Sequence, residues 1–202
     1  SIDGTTGTTF SSTDNFVVSV QEPSLTITTA HTTTVEPNTA LSVTHYVKNN
    51  GNGDARNAEL LDLIPTTYTI TDAGGAATSI VGSNTLLNWS LGNISSLITV
   101  TKSFTATSPN SLGATTLGPA NSTYLDQFNI RYNTTKSTRT VTVTDSTNPS
   151  VTLTSPTNDN VTTSSTVVFN CTMTDNFALN NVSLYLTNNL NASFASNETV
   201  GI

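Results

Sequence analysis

Apolar residues in this chain recur at every second position, in short runs separated by clusters of Asn, Gly, Asp, Ser and Pro. That period marks strands with one buried face. In 40–48 (ALSVTHYVK), Leu41, Val43 and Val47 share a face, and His45 falls on the same parity. In 85–91 the shared set is Leu87, Trp89 and Leu91, and in 97–106 it is Ile98, Val100 and Phe104. The run 123–132 offers Tyr124, Phe128, Ile130 and Tyr132, interrupted by Asp126, and 138–144 offers Val141 and Val143. Between the runs lie turn clusters, NNGNGD at 49–54, DAGG at 72–75 and SPNS at 108–111, whose residue types supply turn conformations. No stretch carries a helical period. Short strands with regular turn punctuation predict an all-β fold built as a sandwich.

Composition sharpens this. Thr makes up roughly a fifth of the 202 residues, far above ordinary usage; it is β-branched and favours strands. Charged residues are 9% of the chain, with six Lys+Arg and a net charge of −7. That balance excludes nucleic acid, whose phosphates need clustered bases, and anionic lipid surfaces. Hydrophobic residues at 35% suffice for thin sandwich cores. No apolar run approaches the ~20 residues of a membrane span, so no span is expected in this chain. Cys171 is the single cysteine, which leaves no internal disulfide possible. A surface of hydroxyls and amides fits an extracellular, cell-surface setting.

Two stretches resemble known families. In 46–70, Asn50, Gly51, Ala55, Asp62, Leu63 and Pro65 follow the order of bacterial and archaeal cell-surface repeats: an Asn-Gly loop, then Ala, then an acidic residue before Leu-x-Pro. Trp89, Leu91 and Gly92 match the same family's later W-x-L-G pair of strands, so the likeness runs over about residues 24–145. It implies a seven-to-nine-strand sandwich used as a spacer, adhesion or assembly module, with no catalytic residues to carry over. The glycines of the Asn-Gly loop are expected to supply the positive φ of a tight hairpin. Farther on, PSVTLTSP at 149–156 and FNCTMTD at 169–175 resemble the immunoglobulin-like repeats of archaeal surface proteins. In that family the inward Cys often pairs with one on a later strand.

The chain therefore divides into an N-terminal strand segment at 1–20, a surface-repeat-like sandwich at 21–145 and a partial immunoglobulin-like domain at 146–202. In the last, Val167, Phe169, Cys171 and Met173 alternate inward, with Val182, Leu184 and Leu186 as the facing set. Only 191–202 (NASFASNETVGI) follows, which reads as too short for the strands such a sheet still needs. The segment 1–20 reads as a hairpin's worth of late strands, with Phe10, Phe16, Val17, Val18 and Val20 as the apolar donors. Open sheet edges invite strand addition. Copies of the chain joined head-to-tail, each segment 1–20 completing the neighbour's 146–202, or one unit of a tandem array, both fit. In either, Cys171 is a small buried hydrophobe.

Sequons stand at Asn88, Asn93, Asn121, Asn133, Asn160, Asn170, Asn181, Asn191 and Asn197. With about two dozen Asn and roughly a third of residues Ser or Thr, chance supplies about eight, so the count is uninformative. Asn88, Asn133, Asn170 and Asn181 fall on outward parity, where a glycan fits. Asn50, Asn52 and Asp54 alternate like a calcium loop, but no bidentate acid follows; no metal and no cofactor is expected beyond N-glycans. His31 and His45 are too few ligands for zinc, and His45 reads as a half-buried core residue. Glu59 and Asp62 read as loop or rim residues rather than paired catalytic acids. No nucleophile-elbow signature is present, so the chain is expected not to be an enzyme. The expected function is a structural subunit or repeat of an archaeal, glycosylated extracellular filament or surface layer, assembled head-to-tail by strand complementation. Other surface proteins or glycans are further partners. The alternatives are an adhesive or spacer module, with Tyr46, Tyr68 and Tyr185 as the aromatics open to sugars, or an accessory domain of a secreted enzyme.

Overall fold

A computed structural model of the chain describes residues 20–136, 138–157, 163, 165–187 and 194–201. In chain order its strands are β1 (Leu25–His31), β2 (Thr34–Val35), β3 (Ala40–Asn49), β4 (Ala55–Pro65), β5 (Thr69–Asp72), β6 (Ala77–Val81), β7 (Asn84–Ile94) and β8 (Thr99–Thr107). There follow β9 (Gly113–Leu117), β10 (Ala120–Leu125), β11 (Arg131–Lys136), β12 (Arg139–Val143), β13 (Ser150–Ser155), β14 (Asn170–Thr174), β15 (Asn181–Thr187) and β16 (Phe194–Gly201). The described residues form strands and turns and no helix. The fold is all-β.

A four-stranded sheet, ordered β1-β3-β8-β5, and a five-stranded sheet, ordered β11-β10-β4-β7-β6, present their inward rows to one another. A third sheet, β2-β12-β9, adds Val35, Leu117, Val141 and Val143 to the same core and contains the parallel pair β2–β12. Alternation along β3 is strict: Leu41, Val43, His45 and Val47 are buried, and so is Asn49. Facing them, Leu60 and Ile64 of β4 and Leu87 and Trp89 of β7 enter the same core. Trp89 and Phe104 meet across the gap with ring centroids 6.3 Å apart. Each such fully buried large side chain contributes about 1.5–3 kcal/mol, so this sandwich is closed by its own residues.

Two of the apolar runs turn out differently from the alternation. Ile98 is 53% exposed, because it sits in the turn before β8, where its N–H donates to the carbonyl of Ser95. Phe128 and Ile130 are 64% and 53% exposed. They occupy the tip of the β10–β11 hairpin, which Asp126 organises: its Oδ1 accepts the backbone N–H of both Phe128 and Ile130 at 2.8 Å. The alternation resumes at Tyr132, which stacks on Tyr124 at 5.6 Å.

The Asn-Gly loop also works by a different physics. Neither Gly51 nor Gly53 has a positive φ. A Cβ at Gly51 would lie 2.2 Å from the Glu22 carbonyl oxygen, and one at Gly53 would lie 2.7 Å from that of Gln21. Glycine is required there because the incoming segment 21–24 crosses directly over the loop. Positive φ is instead needed at Gly74 (φ 58). That turn starts with the Asp72 carboxylate accepting the Gly74 N–H at 2.8 Å, and its Gly74 carbonyl accepts the indole N–H of Trp89 at 3.0 Å.

Beyond Val143 the architecture changes. β13 and β14 form one antiparallel ladder and β15 and β16 another. The last segment supplies one strand, β16, paired to β15 from Asn181↔Gly201 to Thr187↔Phe194. Val182 and Leu184 belong to a ladder separate from that of Cys171.

Candidate functional site

Three places in the fold gather the residues with chemical or assembly potential. The first is the apolar surface of the C-terminal ladders. Val151 pairs with Met173 and Leu153 with Cys171, and directly paired residues share a face. Val151 and Leu153 are nevertheless 59% and 54% exposed. Val167 and Phe169 precede β14 rather than alternating along it, at 43% and 40% exposure, and Val168 reaches 70%. Cys171 is a half-buried free thiol, and Val182 and Leu184 are half-buried. Leu186 lies on β15. Among the proposed donors, Val20 is 50% exposed, while Phe10, Phe16, Val17 and Val18 lie outside the described residues. The first sandwich seals one cluster of large side chains, whereas Val151, Leu153, Val168 and Phe169 stand exposed beyond it.

The second place is a polar cluster inside the first sandwich. Asp62 is fully buried on β4, which corrects its reading as a rim residue; Glu59, on the same strand, is half-buried on the outward parity. Asp62 Oδ2 lies 2.9 Å from His45 Nε2 and 2.6 Å from Arg139 Nη2. His45 is fully buried, not half-buried, and its Nδ1 lies 2.9 Å from Thr29 Oγ1. Thr29, His45, Asp62 and Arg139 belong to β1, β3, β4 and β12, so one chain of contacts ties together all three sheets of the sandwich. The order hydroxyl–imidazole–carboxylate resembles a nucleophile relay, but here the Asp62 oxygen that meets the imidazole is shared with a buried guanidinium. Asp62 Oδ1 and Arg139 Nε and Nη1 are buried without a hydrogen-bond partner among the described residues. A buried ion pair so incompletely satisfied stabilises little against an apolar packing. Gly118, between β9 and β10, borders it: a Cβ there would lie 3.1 Å from Arg139 Nη1.

Sequence reasoning passed over Arg139 and Asn49. The signal was present, since both stand on the inward parity of otherwise apolar runs. Asn49 is fully buried. Its Nδ2 donates to the carbonyls of Gly53 and Ile94 at 2.7 and 2.9 Å. Its Oδ1 accepts the N–H of Ser24 and Gly51, each at 3.0 Å. It thus binds three loops at one pole of the sandwich. Of the alternating loop oxygens, Asn52 Oδ1 accepts the Glu22 N–H at 2.8 Å, and Asn50 Nδ2 donates to Thr26 Oγ1 at 2.9 Å. These side chains hold the crossing segment.

The third place is the junction after β12. The Glu36 carboxylate accepts the Ser146 N–H at 3.1 and 3.2 Å, the Ser146 hydroxyl, and the Asn176 side-chain amide at 3.2 Å. Hydrogen bonding from the Ser146 side chain is the main reason that the Glu36 carboxyl sits below its ordinary pKa. One half-buried acid thus joins the first sandwich to the segments before β13 and after β14.

The sequons distribute unevenly. Asn88 and Asn93 lie on β7, Asn121 on β10 and Asn133 on β11, all in the five-stranded sheet. Asn93 and Asn133 are exposed and Asn88 and Asn121 half-buried, the last two on the same cross-strand row either side of Leu61. Asn170 and Asn181 are exposed at the starts of β14 and β15. Asn197 lies on β16, and Asn160 and Asn191 lie outside the described residues.

No protein-family model matches the chain, and no curated protein does. Among solved structures it is similar to BcpA, the major pilin subunit of Bacillus cereus, at 8% identity and a TM-score of 0.45, covering 89% of this chain and 65% of the pilin. It is similar to the CARDB domain of the PF1109 protein from Pyrococcus furiosus, at 17% identity and a TM-score of 0.39, over 62% of this chain and 97% of that domain. A GH20 exo-β-N-acetylglucosaminidase from Vibrio harveyi matches over 62% of this chain, at 11% identity and a TM-score of 0.41, and the chain spans 20% of its length. These are likenesses of β-sandwich architecture alone.

Proposed function

We propose that the chain is a non-catalytic structural subunit or repeat of an extracellular, glycosylated surface filament or layer, archaeal in type, that assembles by β-strand complementation. The observation that carries this reading is the contrast in burial along one chain. Up to Val143 one cluster of apolar side chains forms a sealed core, with exposed ones such as Ile80, Leu97 and Phe128 lying outside it. Beyond Val143 no described residue joins a buried core, and Val151 and Leu153 on β13, with Val168 and Phe169 just before β14, are exposed. A two-stranded ladder is marginal alone, and an apolar face with open edges is stabilised by an added strand. The segment 1–20, with Phe16 and Val18 at alternate positions, has the pattern of such a strand and comes from the next copy.

Sedimentation of the purified full chain tests this. Wild type forms head-to-tail oligomers; Phe16→Asp with Val18→Asp is monomeric, while its first sandwich melts as in wild type. A synthetic 1–20 peptide added to the double variant raises protection of the β13–β14 amides from hydrogen exchange. If the double variant oligomerises like wild type, or the peptide leaves those amides unprotected, the assembly reading is wrong.

A further inference from the structure

The two outer faces of the first sandwich differ in chemistry. On the five-stranded sheet the outward rows mix half-buried Leu61, Leu63 and Leu86 with Glu59 and sequon asparagines. On the four-stranded sheet they are almost entirely hydroxyls. The register places Thr28, Tyr46 and Thr101 side by side across β1, β3 and β8, with Ala30, Thr44 and Ser103 as the next row. Rows of β8 and β5 continue the pattern, and Thr71 Oγ1 meets Thr105 Oγ1 at 3.0 Å. Neighbouring strands stand about 4.8 Å apart and same-face residues about 6.7 Å apart along a strand, so the hydroxyls form a near-regular grid. Each donates and accepts, and β-branching limits the χ1 freedom that Thr loses on binding.

A Thr face is also simply a well-solvated one, and two further observations separate a binding face from that. Tyr46, 40% exposed, stands amid the grid with hydroxyls on either side across the sheet. An exposed aromatic in that position adds apolar contact at small entropic cost. All four sequons of this sandwich, Asn88, Asn93, Asn121 and Asn133, lie on the other sheet, so glycans there leave the hydroxyl face bare. Its charges are few: Lys48, and Asp72 at the β5 end. That balance matches an uncharged partner rich in hydroxyls and disfavours an anionic one.

We infer that the outer face of β1-β3-β8-β5 binds a neutral polysaccharide, with a sugar ring stacked on Tyr46 and its hydroxyls bridged by the flanking Thr and Ser side chains. This stands apart from strand complementation, since it uses neither the segment 1–20 nor the C-terminal ladders.

The test is depletion of the full chain from solution by microcrystalline cellulose, chitin and insoluble mannan, with polygalacturonate as the anionic control. Wild type is retained on at least one neutral polymer and not on polygalacturonate. Tyr46→Ala and Thr101→Glu each lower the partition coefficient about tenfold, while Thr123→Glu on the opposite sheet leaves it unchanged. Trp89 fluorescence verifies that each variant is folded. Absence of retention on every neutral polymer overturns the inference, as does retention that Tyr46→Ala and Thr101→Glu leave intact. Sedimentation showing a dimer that Thr101→Glu dissolves reassigns the face to a second copy and also overturns it.

Discussion

Arg139→Met removes one partner of a fully buried carboxylate. Asp62 loses its 2.6 Å contact to Arg139 Nη2 and keeps only His45 at 2.9 Å, with Oδ1 already without a partner among the described residues. Breaking a buried pair from one side costs about 3–5 kcal/mol, a large share of the roughly 5–15 kcal/mol that holds a domain together. At about 2–4 °C per kcal/mol for a chain of this size, Tm falls by roughly 6–20 °C. Trp89 is the single tryptophan and 1% exposed, its ring 6.0 Å from that of His45, so its fluorescence reports unfolding of this core. The triple variant Arg139→Met, Asp62→Leu, His45→Phe replaces the whole cluster by apolar side chains and recovers most of the loss, because no uncompensated charge remains. A single-variant cost under about 1 kcal/mol, against the range stated for a buried pair, would refute the argument. So would a triple variant no more stable than the single one.

Asn49→Ala strips four hydrogen bonds from one pole of the sandwich. Each orphaned buried group costs about 1–3 kcal/mol, partly recovered by relaxation, and a urea midpoint that does not fall would contradict that account. The depressed pKa of Glu36 means that its ionised tether to Ser146 and Asn176 stabilises the junction above the ordinary carboxylate value and is lost as pH falls through the lower folded one. Amide shifts of Ser146 and Asn176 followed by NMR from neutral pH into the acid range move in wild type and stay flat in Glu36→Gln; identical profiles would rule the tether out.

Much of the first sandwich was legible because its alternation is regular. Leu41, Val43, Val47, Leu87, Trp89, Phe104, Val141 and Val143 are all buried as their spacing requires. The misreadings have local causes. Phe128 and Ile130 keep the period, but Asp126 accepts two backbone N–H groups and turns the chain there. Ile98 keeps it as well, one residue before its strand begins. Gly51 and Gly53 were legible as loop glycines, but not the reason for them. Periodicity reports no crossing segment, and only the close approach of 21–24 shows why a Cβ is excluded.

Period and composition by themselves determined an all-β chain of short strands, with a polar, hydroxyl-rich surface and one self-sufficient apolar core. Those are properties of residues taken along the chain, and side-chain parity follows directly from backbone geometry. Tertiary structure alone decided which strands meet. It brought Thr29, His45, Asp62 and Arg139 from four strands into one buried chain of contacts, and it gathered the first sandwich's sequons on one sheet and a grid of hydroxyls on the other. The reason is that the pairing of strands distant in sequence is set by which faces and partners satisfy one another in space, and no local pattern encodes it.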